Sequence, residues 1–238
     1  MVKRVVDIDE TVGPIPTEPT NMQEIIYQDE NILVIDKPAG IDIQTLAESF
    51  DFTPLPRAGI VHRLDKDTSG VLLVAKNQTT LDFLQKQFKE RKVEKKYTAL
   101  IVGHLKNDAI TLETLIGRSP QDRRKQKVFL LNDPKPLGKR MAKTEFQVLQ
   151  KFEDYDLIEA SPKTGRKHQI RAHLAHLGHP IAGDKLYGFK NQLCPKDLKR
   201  QFLHASGLKI TLPDNQIKEF KSNLAKELNI CLQNLNRS

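Results

Sequence analysis

Residues 59–70 read GIVHRLDKDTSG, which sets three ionisable side chains, His62, Arg63 and Asp65, around apolar Val61 and Leu64, just before a Thr-Ser-Gly turn. Polar groups are costly at the mouth of a buried strand unless they are paired or used. A carboxylate in such a place can act as a nucleophile or as a general base. It can also cap its own turn, a purely local role. On these residues alone both readings stay open.

A second candidate is the run of His168, His173, His176 and His179 within twelve residues. Helical zinc sites favour histidines at i and i+4 with a carboxylate close by, a pattern this segment lacks. His179 also lies past the helix stop expected at Gly178. A helix of Arg, Lys and His facing phosphates explains the composition better. The expectation is no metal and no other cofactor.

The 238-residue chain carries a formal charge of +8 and a pI near 9.4, which points to a polyanionic partner. The charge is uneven. Residues 1–30 hold two basic and seven acidic side chains, whereas residues 117–143 hold nine basic, among them Arg123, Arg124, Lys125 and Lys127, and two acidic. That basic stretch is either a solvated loop or a phosphate-binding surface. With no Trp and 6% aromatic residues, a wall of stacked rings for single strands is excluded. No apolar run is long enough for a membrane span, the N-terminus does not read as a secretory signal, and Cys194 and Cys231 lack metal spacing. The cytoplasm is the default expectation.

The elements that must position these groups are mostly strands. Apolar runs at 25–27 and 32–35 flank Asp29-Glu30-Asn31 and predict a hairpin. The continuous run GVLLVA at 70–75 predicts a strand buried on both faces. Leu81, Leu84 and Phe88 predict a helix over 77–92, with Thr79 and Asp82 resembling a capping box. Further strands are expected at 97–102, 110–116, 128–131, 144–149, 155–160 and 208–212. A short helix is expected at 166–177, capped by Thr164. A C-terminal helix opened by Asp214 would be lined by Ile217, Phe220, Leu224, Leu228 and Leu235. Many strands with few scattered helices read as α+β with a mainly antiparallel sheet. Residues 1–22 read as a weakly structured lead-in, and 23–238 as one catalytic domain.

The sequence resembles the RluA branch of the RNA pseudouridine synthases. HRLDKDTSG at 62–70 is similar to the signature of that family. NILVIDKPAG (31–40), KKYTALIVG (95–103), TGRKHQIRAHLAHLGHPIAGDKLYG (164–188) and QFLHASGL (201–208) resemble its other motifs in the family's order. The resemblance covers about residues 24–212. Two departures stand out: the connection of about 20 residues between the first motif and GIVHRLD is short, and the residues before Glu24 are too few for the N-terminal RNA-binding domain many relatives carry.

The resemblance implies the pseudouridine synthase fold and an isomerase that converts a uridine in a stem-loop of large-subunit rRNA or tRNA to pseudouridine, with no obligate protein partner. It implies that Asp65 is the catalytic aspartate, acting by attack at C1′, attack at C6 or removal of the 2′ proton. Tyr97 would stack on the base, and Arg166 would pair with Asp65 and keep it ionised. Arg63 would fill the gap left by the flipped base, while Ile170 and Leu203 line its pocket. Apart from the resemblance, the distribution of charge points to RNA contacts by Arg171 and by Arg123, Arg124, Lys125 and Lys127, and His62 is a further candidate for RNA contact. Two other readings remain: a non-catalytic RNA-binding or assembly factor derived from a synthase, and a hydrolase that uses Asp65 with His62.

Overall fold

Strand β3 (Ser69–Ala75) is buried at every position, and its side chains divide cleanly between two cores. Val71, Leu73 and Ala75 face one cluster, and Leu72 and Val74 face the other. That division is the physical content of an uninterrupted apolar run, since alternate side chains of a strand point to opposite faces. The structure is a computed structural model that describes residues 24–50, 55–133 and 138–236. The lead-in at 1–22 and Lys135 lie outside the described residues.

β3 belongs to a ten-stranded sheet in the order β1-β2-β3-β9-β4-β8-β7-β5-β6, with β10 paired to β9. The strands are β1 (Glu24–Gln28), β2 (Ile32–Lys37), β4 (Glu94–Val102), β5 (Ala109–Arg118), β6 (Gln126–Phe129), β7 (Arg140–Lys151), β8 (Tyr155–Pro162), β9 (Leu203–Thr211) and β10 (Ile217–Lys221). Neighbours run antiparallel except β3 and β9, which are parallel through Ser69–His204 and Gly70–Ala205. At that junction Gly70 has φ +113°, and a Cβ there would lie 2.3 Å from the carbonyl oxygen of Ala205. Only glycine permits the approach, which brings Leu203 beside the end of the HRLD segment.

Helix α1 (Ile43–Ala47) covers one face of β2 and β3 through Leu46, and α2 (Gln78–Lys89) covers the other through Leu81 and Leu84. Truncating a leucine such as Leu72 to alanine in this two-sided core costs about 2–5 kcal/mol. Helix α3 (Gln169–His176) and α4 (Lys226–Gln233) pack a further core against β4, β8 and β9, with Leu174, Leu228 and Cys231 buried. No helix among the described residues is long and apolar enough to cross a membrane.

Three local expectations are corrected. α2 is capped by Asn77, whose side chain accepts the Thr80 N–H at 2.9 Å, while Asp82 instead accepts from the Gln78 side chain. Thr164 does not cap α3. Its hydroxyl donates to Gln169 Oε1 and accepts the Lys143 N–H, and left-handed His168 precedes the helix. The expected C-terminal helix is split: Pro213-Asp214-Asn215 forms a turn with Asn215 at φ +64°, so residues 217–221 return as β10 and only 226–233 are helical. Asp214 supports that turn by accepting the Gln216 N–H, turn chemistry that in sequence looks like a helix cap.

Candidate active site

Asp65 sits on a turn whose backbone is held from two sides. Lys37, fully buried, donates through Nζ to the carbonyls of Pro38, Ile41 and Lys66 at 2.7, 2.8 and 3.0 Å. On the opposite side Arg200 donates to the Asp67 carbonyl at 3.0 Å and to Ser69 Oγ at 2.8 Å. Within the turn the Thr68 N–H bonds the backbone oxygen of Asp65, at 3.0 Å. The carboxylate therefore does not cap its own turn.

Its partner is an arginine, but not the expected one. Arg171 Nη1 lies 3.0 Å from Asp65 Oδ2, and Arg171 also forks onto Asp184, Nε to Oδ2 at 2.7 Å and Nη2 to Oδ1 at 2.8 Å. Asp184 Oδ1 also accepts the N–H groups of Leu186 and Tyr187. Arg166 instead donates through Nε to the Met141 carbonyl at 2.9 Å. The reason is helical geometry. Arg166 precedes α3 and opens a turn in which its carbonyl accepts the Gln169 N–H, whereas Arg171 lies in the first turn of the helix, on the face turned towards the Asp65 turn. Burial works against the Arg171 charge, but Asp184 and Asp65 outweigh it and raise the guanidinium pKa. Burial would likewise raise Asp184, yet the Arg171 bonds and the two N–H groups hold it below the usual carboxylate range.

These groups open into a cleft of about 480 Å³ whose lining holds nine lysines and arginines and, among the described residues, one carboxylate, that of Asp65. Tyr97, Ile170 and Leu203 line it. Tyr97 stands at an irregularity between β4 and β9, where Lys96 pairs with Gly207 but Thr98 with His204. Such a bulge re-aims one side chain off the regular alternation. Burial, then Asp65, pushes the Tyr97 phenol well above its usual range, so it stays protonated. His62 lines the cleft too, but its Nε2 accepts the Leu73 N–H at 3.1 Å and its ring stacks on Phe88 at 5.0 Å. Burial and Lys95 push it down to about 3, leaving a neutral ring engaged with β3 rather than half of a water-activating pair. Arg63 is exposed and lines both this cleft and a neighbouring one of about 960 Å³, and the two clefts share Asp65.

The α3 histidines diverge. His173 is buried between Thr114 and Thr144, His179 Nδ1 meets the Val102 carbonyl, and His168 meets the Tyr187 hydroxyl at 3.1 Å. His168 Nε2 is 3.8 Å from Asp65, and burial, opposed by Asp65, pushes its pKa down to about 4. Arg123, Arg124, Lys125 and Lys127 lie on the β5–β6 hairpin, outside the cleft lining. That hairpin docks beside the site, since the Gln126 N–H donates to Tyr187 at 2.6 Å. Arg124 is already paired with Asp122.

Sequence reasoning missed Asp184, Lys37 and Arg200 as parts of the site, and it singled out His168 without placing it beside Asp65. Asp184 and Lys37 each stand beside an opposite charge in the sequence, Lys185 and Asp36, so nothing local singled them out. Arg200 carried no signal either, because its role depends on chain distant in sequence.

A family model described as RNA pseudouridylate synthase matches residues 31–176. The chain belongs to that family. It is an isomerase acting on uridine in RNA. The synthase is 36% identical over 255 residues to the ribosomal large subunit pseudouridine synthase D of Borreliella burgdorferi, covering 98% of this chain and 76% of that one. It is 37% identical over 228 residues to the ribosomal large subunit pseudouridine synthase C of Vibrio vulnificus, covering 90% and 70%. It is 41% identical over 204 residues to an RNA pseudouridine synthase of Aquifex aeolicus, covering 78% and 62%. Among solved structures it superimposes on human RNA pseudouridylate synthase domain containing 1 with a TM-score of 0.77 at 28% identity, covering 94% of this chain and 92% of that one. The synthase therefore has the expected fold.

Proposed function

We propose that the synthase isomerises a loop uridine of large-subunit rRNA, with Asp65 as the nucleophile. One observation carries the reading. The carboxylate is free of its own turn, is held by Arg171, and is the sole acid in a cationic cleft among the described residues. The reaction breaks the N1–C1′ bond, rotates the uracil and joins C5 to C1′, with the C5 proton lost and a proton gained at N1. A carboxylate with fixed aim can attack the sugar or base while Tyr97 stacks on the ring. Such stacking is worth about 1–3 kcal/mol, comparable with the few kcal/mol needed to flip a nucleotide out.

In this reading Arg171 takes the role the sequence suggested for Arg166. Ile170 and Leu203 hold the base, and exposed Arg63 fills the space it leaves in the RNA. The neighbouring cleft and the β5–β6 hairpin take the flanking strand. The ribosomal names of the relatives favour large-subunit rRNA over tRNA. The test is to map pseudouridines in RNA from cells lacking the protein, then to incubate the purified chain with the corresponding hairpin. Pseudouridine in the hairpin at that position supports the proposal. Free uracil or no product rejects it, and loss of a tRNA site rejects the rRNA assignment.

A further inference from the structure

The cleft contains more positive charge than a base and a single carboxylate can use. Lys95 lies two residues before Tyr97 on β4, and among the described residues its Nζ meets only a neutral acceptor, the Thr164 carbonyl at 3.3 Å. Arg166 is tethered through Nε to the Met141 carbonyl, and among the described residues neither terminal nitrogen of its guanidinium has a hydrogen-bond partner. Arg91 lines the same cleft at the end of α2, at φ +61°. It holds the position where a helix normally ends on glycine, with Lys92 N–H on Gln87 O and Arg91 N–H on Phe88 O. A non-glycine residue there carries backbone strain. Among the described residues none of the three has a carboxylate partner, whereas nearby Lys96 and Lys163 are paired with Glu159 and Glu145.

Like charges converging without an acid repel one another unless an anion joins them. Burial, then Arg166, pushes Lys95 down to about 8, and burial, then Arg140 and Arg91, lowers Arg166. Gly165 stands next to this group, since a Cβ there would lie at ordinary contact distance, 3.9 Å, from Lys95 Nζ.

We infer that Lys95 and Arg166, supported by Arg91, form the seat of one RNA phosphate, that of the nucleotide whose base stacks on Tyr97. The inference rests on the reading that the uridine occupies this cleft. A planar guanidinium anchored at Nε presents a two-toothed fork to phosphate oxygens, and the ammonium adds a point charge. The seat would hold the backbone of that nucleotide in the cleft and so contribute to binding. It also explains why Arg166 is absent from the Asp65 pair.

The test titrates the full chain with uridine, uridine 5′-monophosphate and uridine 3′-monophosphate by calorimetry. The wild type should prefer one monophosphate over uridine by about tenfold or more, the scale of charge-assisted hydrogen bonds. Lys95→Met and Arg166→Met should each remove most of that preference without changing the affinity for uridine. Lys95→Arg should restore it, which a merely structural role would not do. With RNA, the loss in both methionine variants should fall mainly on KM rather than kcat. A wild type with no monophosphate preference, or a preference retained in either methionine variant, overturns the inference. These titrations read no product, so an intact preference without isomerisation would reject the Asp65 reading and leave the phosphate seat standing.

Discussion

Arg171 reaches Asp65 with one nitrogen, Nη1 at 3.0 Å, because its other two are spent on Asp184. A guanidinium chelated from behind cannot swing away, so the position of the Asp65 carboxylate is set by a residue 106 positions distant in sequence rather than by its own turn. Asp184 is fully buried, which keeps water from competing for the fork.

Asp65→Asn keeps the shape and removes the charge. Pseudouridine formation should vanish while the melting temperature and RNA affinity stay close to wild type. Retention of a tenth of the wild-type rate would remove Asp65 from the nucleophile's role.

The two arginines of the third motif should separate. Arg171→Lys cannot reproduce the fork and leaves Asp184 poorly matched. Breaking a buried pair costs about 3–5 kcal/mol, and since the charge is kept we expect about 3, a fall in Tm of roughly 6–12 °C, together with a large loss of kcat. Arg166→Lys should leave Tm nearly unchanged and raise KM. Thermal denaturation beside steady-state kinetics would show the difference, and equal Tm losses would contradict it.

Lys95 gives a pH dependence whose sign can be worked out. Its folded pKa lies near 8, below the ordinary 10.5, so the cation fades as pH rises through 8 and RNA affinity should weaken there. Stability should move the other way. Between about 8 and 10.5 the unfolded chain binds more protons at Lys95, and also at Lys37, so folding becomes more favourable as pH rises. In Lys95→Arg the affinity loss near pH 8 should disappear, as read from Kd measured across pH 7–10.

Arg200 joins the Asp67 carbonyl and Ser69 Oγ to Glu227 on α4, at 3.0, 2.8 and 2.7 Å. Arg200→Met should loosen the Asp65 turn and lower kcat about 10–100-fold with KM little changed, since a misplacement near 1 Å is worth that much. Glu227→Gln should do far less, because that carboxylate is half exposed. A change confined to KM would place Arg200 with the RNA contacts instead.

Neutralising Arg123, Arg124, Lys125 and Lys127 together should weaken RNA binding and flatten its salt dependence. Each lost phosphate contact removes about 0.7–0.9 from the log–log slope. Arg124 should contribute least, since Asp122 already offsets its charge. A quadruple variant with an unchanged slope would return the hairpin to plain solvated surface.

By itself the sequence determined what local pattern can express. The β3 run announced its own two-sided burial, because a strand covered on both faces has no polar alternation. The HRLD segment announced a carboxylate that needed a reason to be there, and the motif order announced the family. The tertiary structure decided the partnerships. Which of two arginines five residues apart meets Asp65 depends on where the backbone enters α3, and the helix phase selects Arg171. The C-terminal segment has apolar spacing that suits a helix, yet β9 offered an unpaired edge and the 213–215 turn sent residues 217–221 back to fill it. Lys37, Asp184 and Arg200 support the site through contacts made when distant segments meet. Long-range contact of that kind leaves no periodicity in the chain, so only the folded molecule could reveal it.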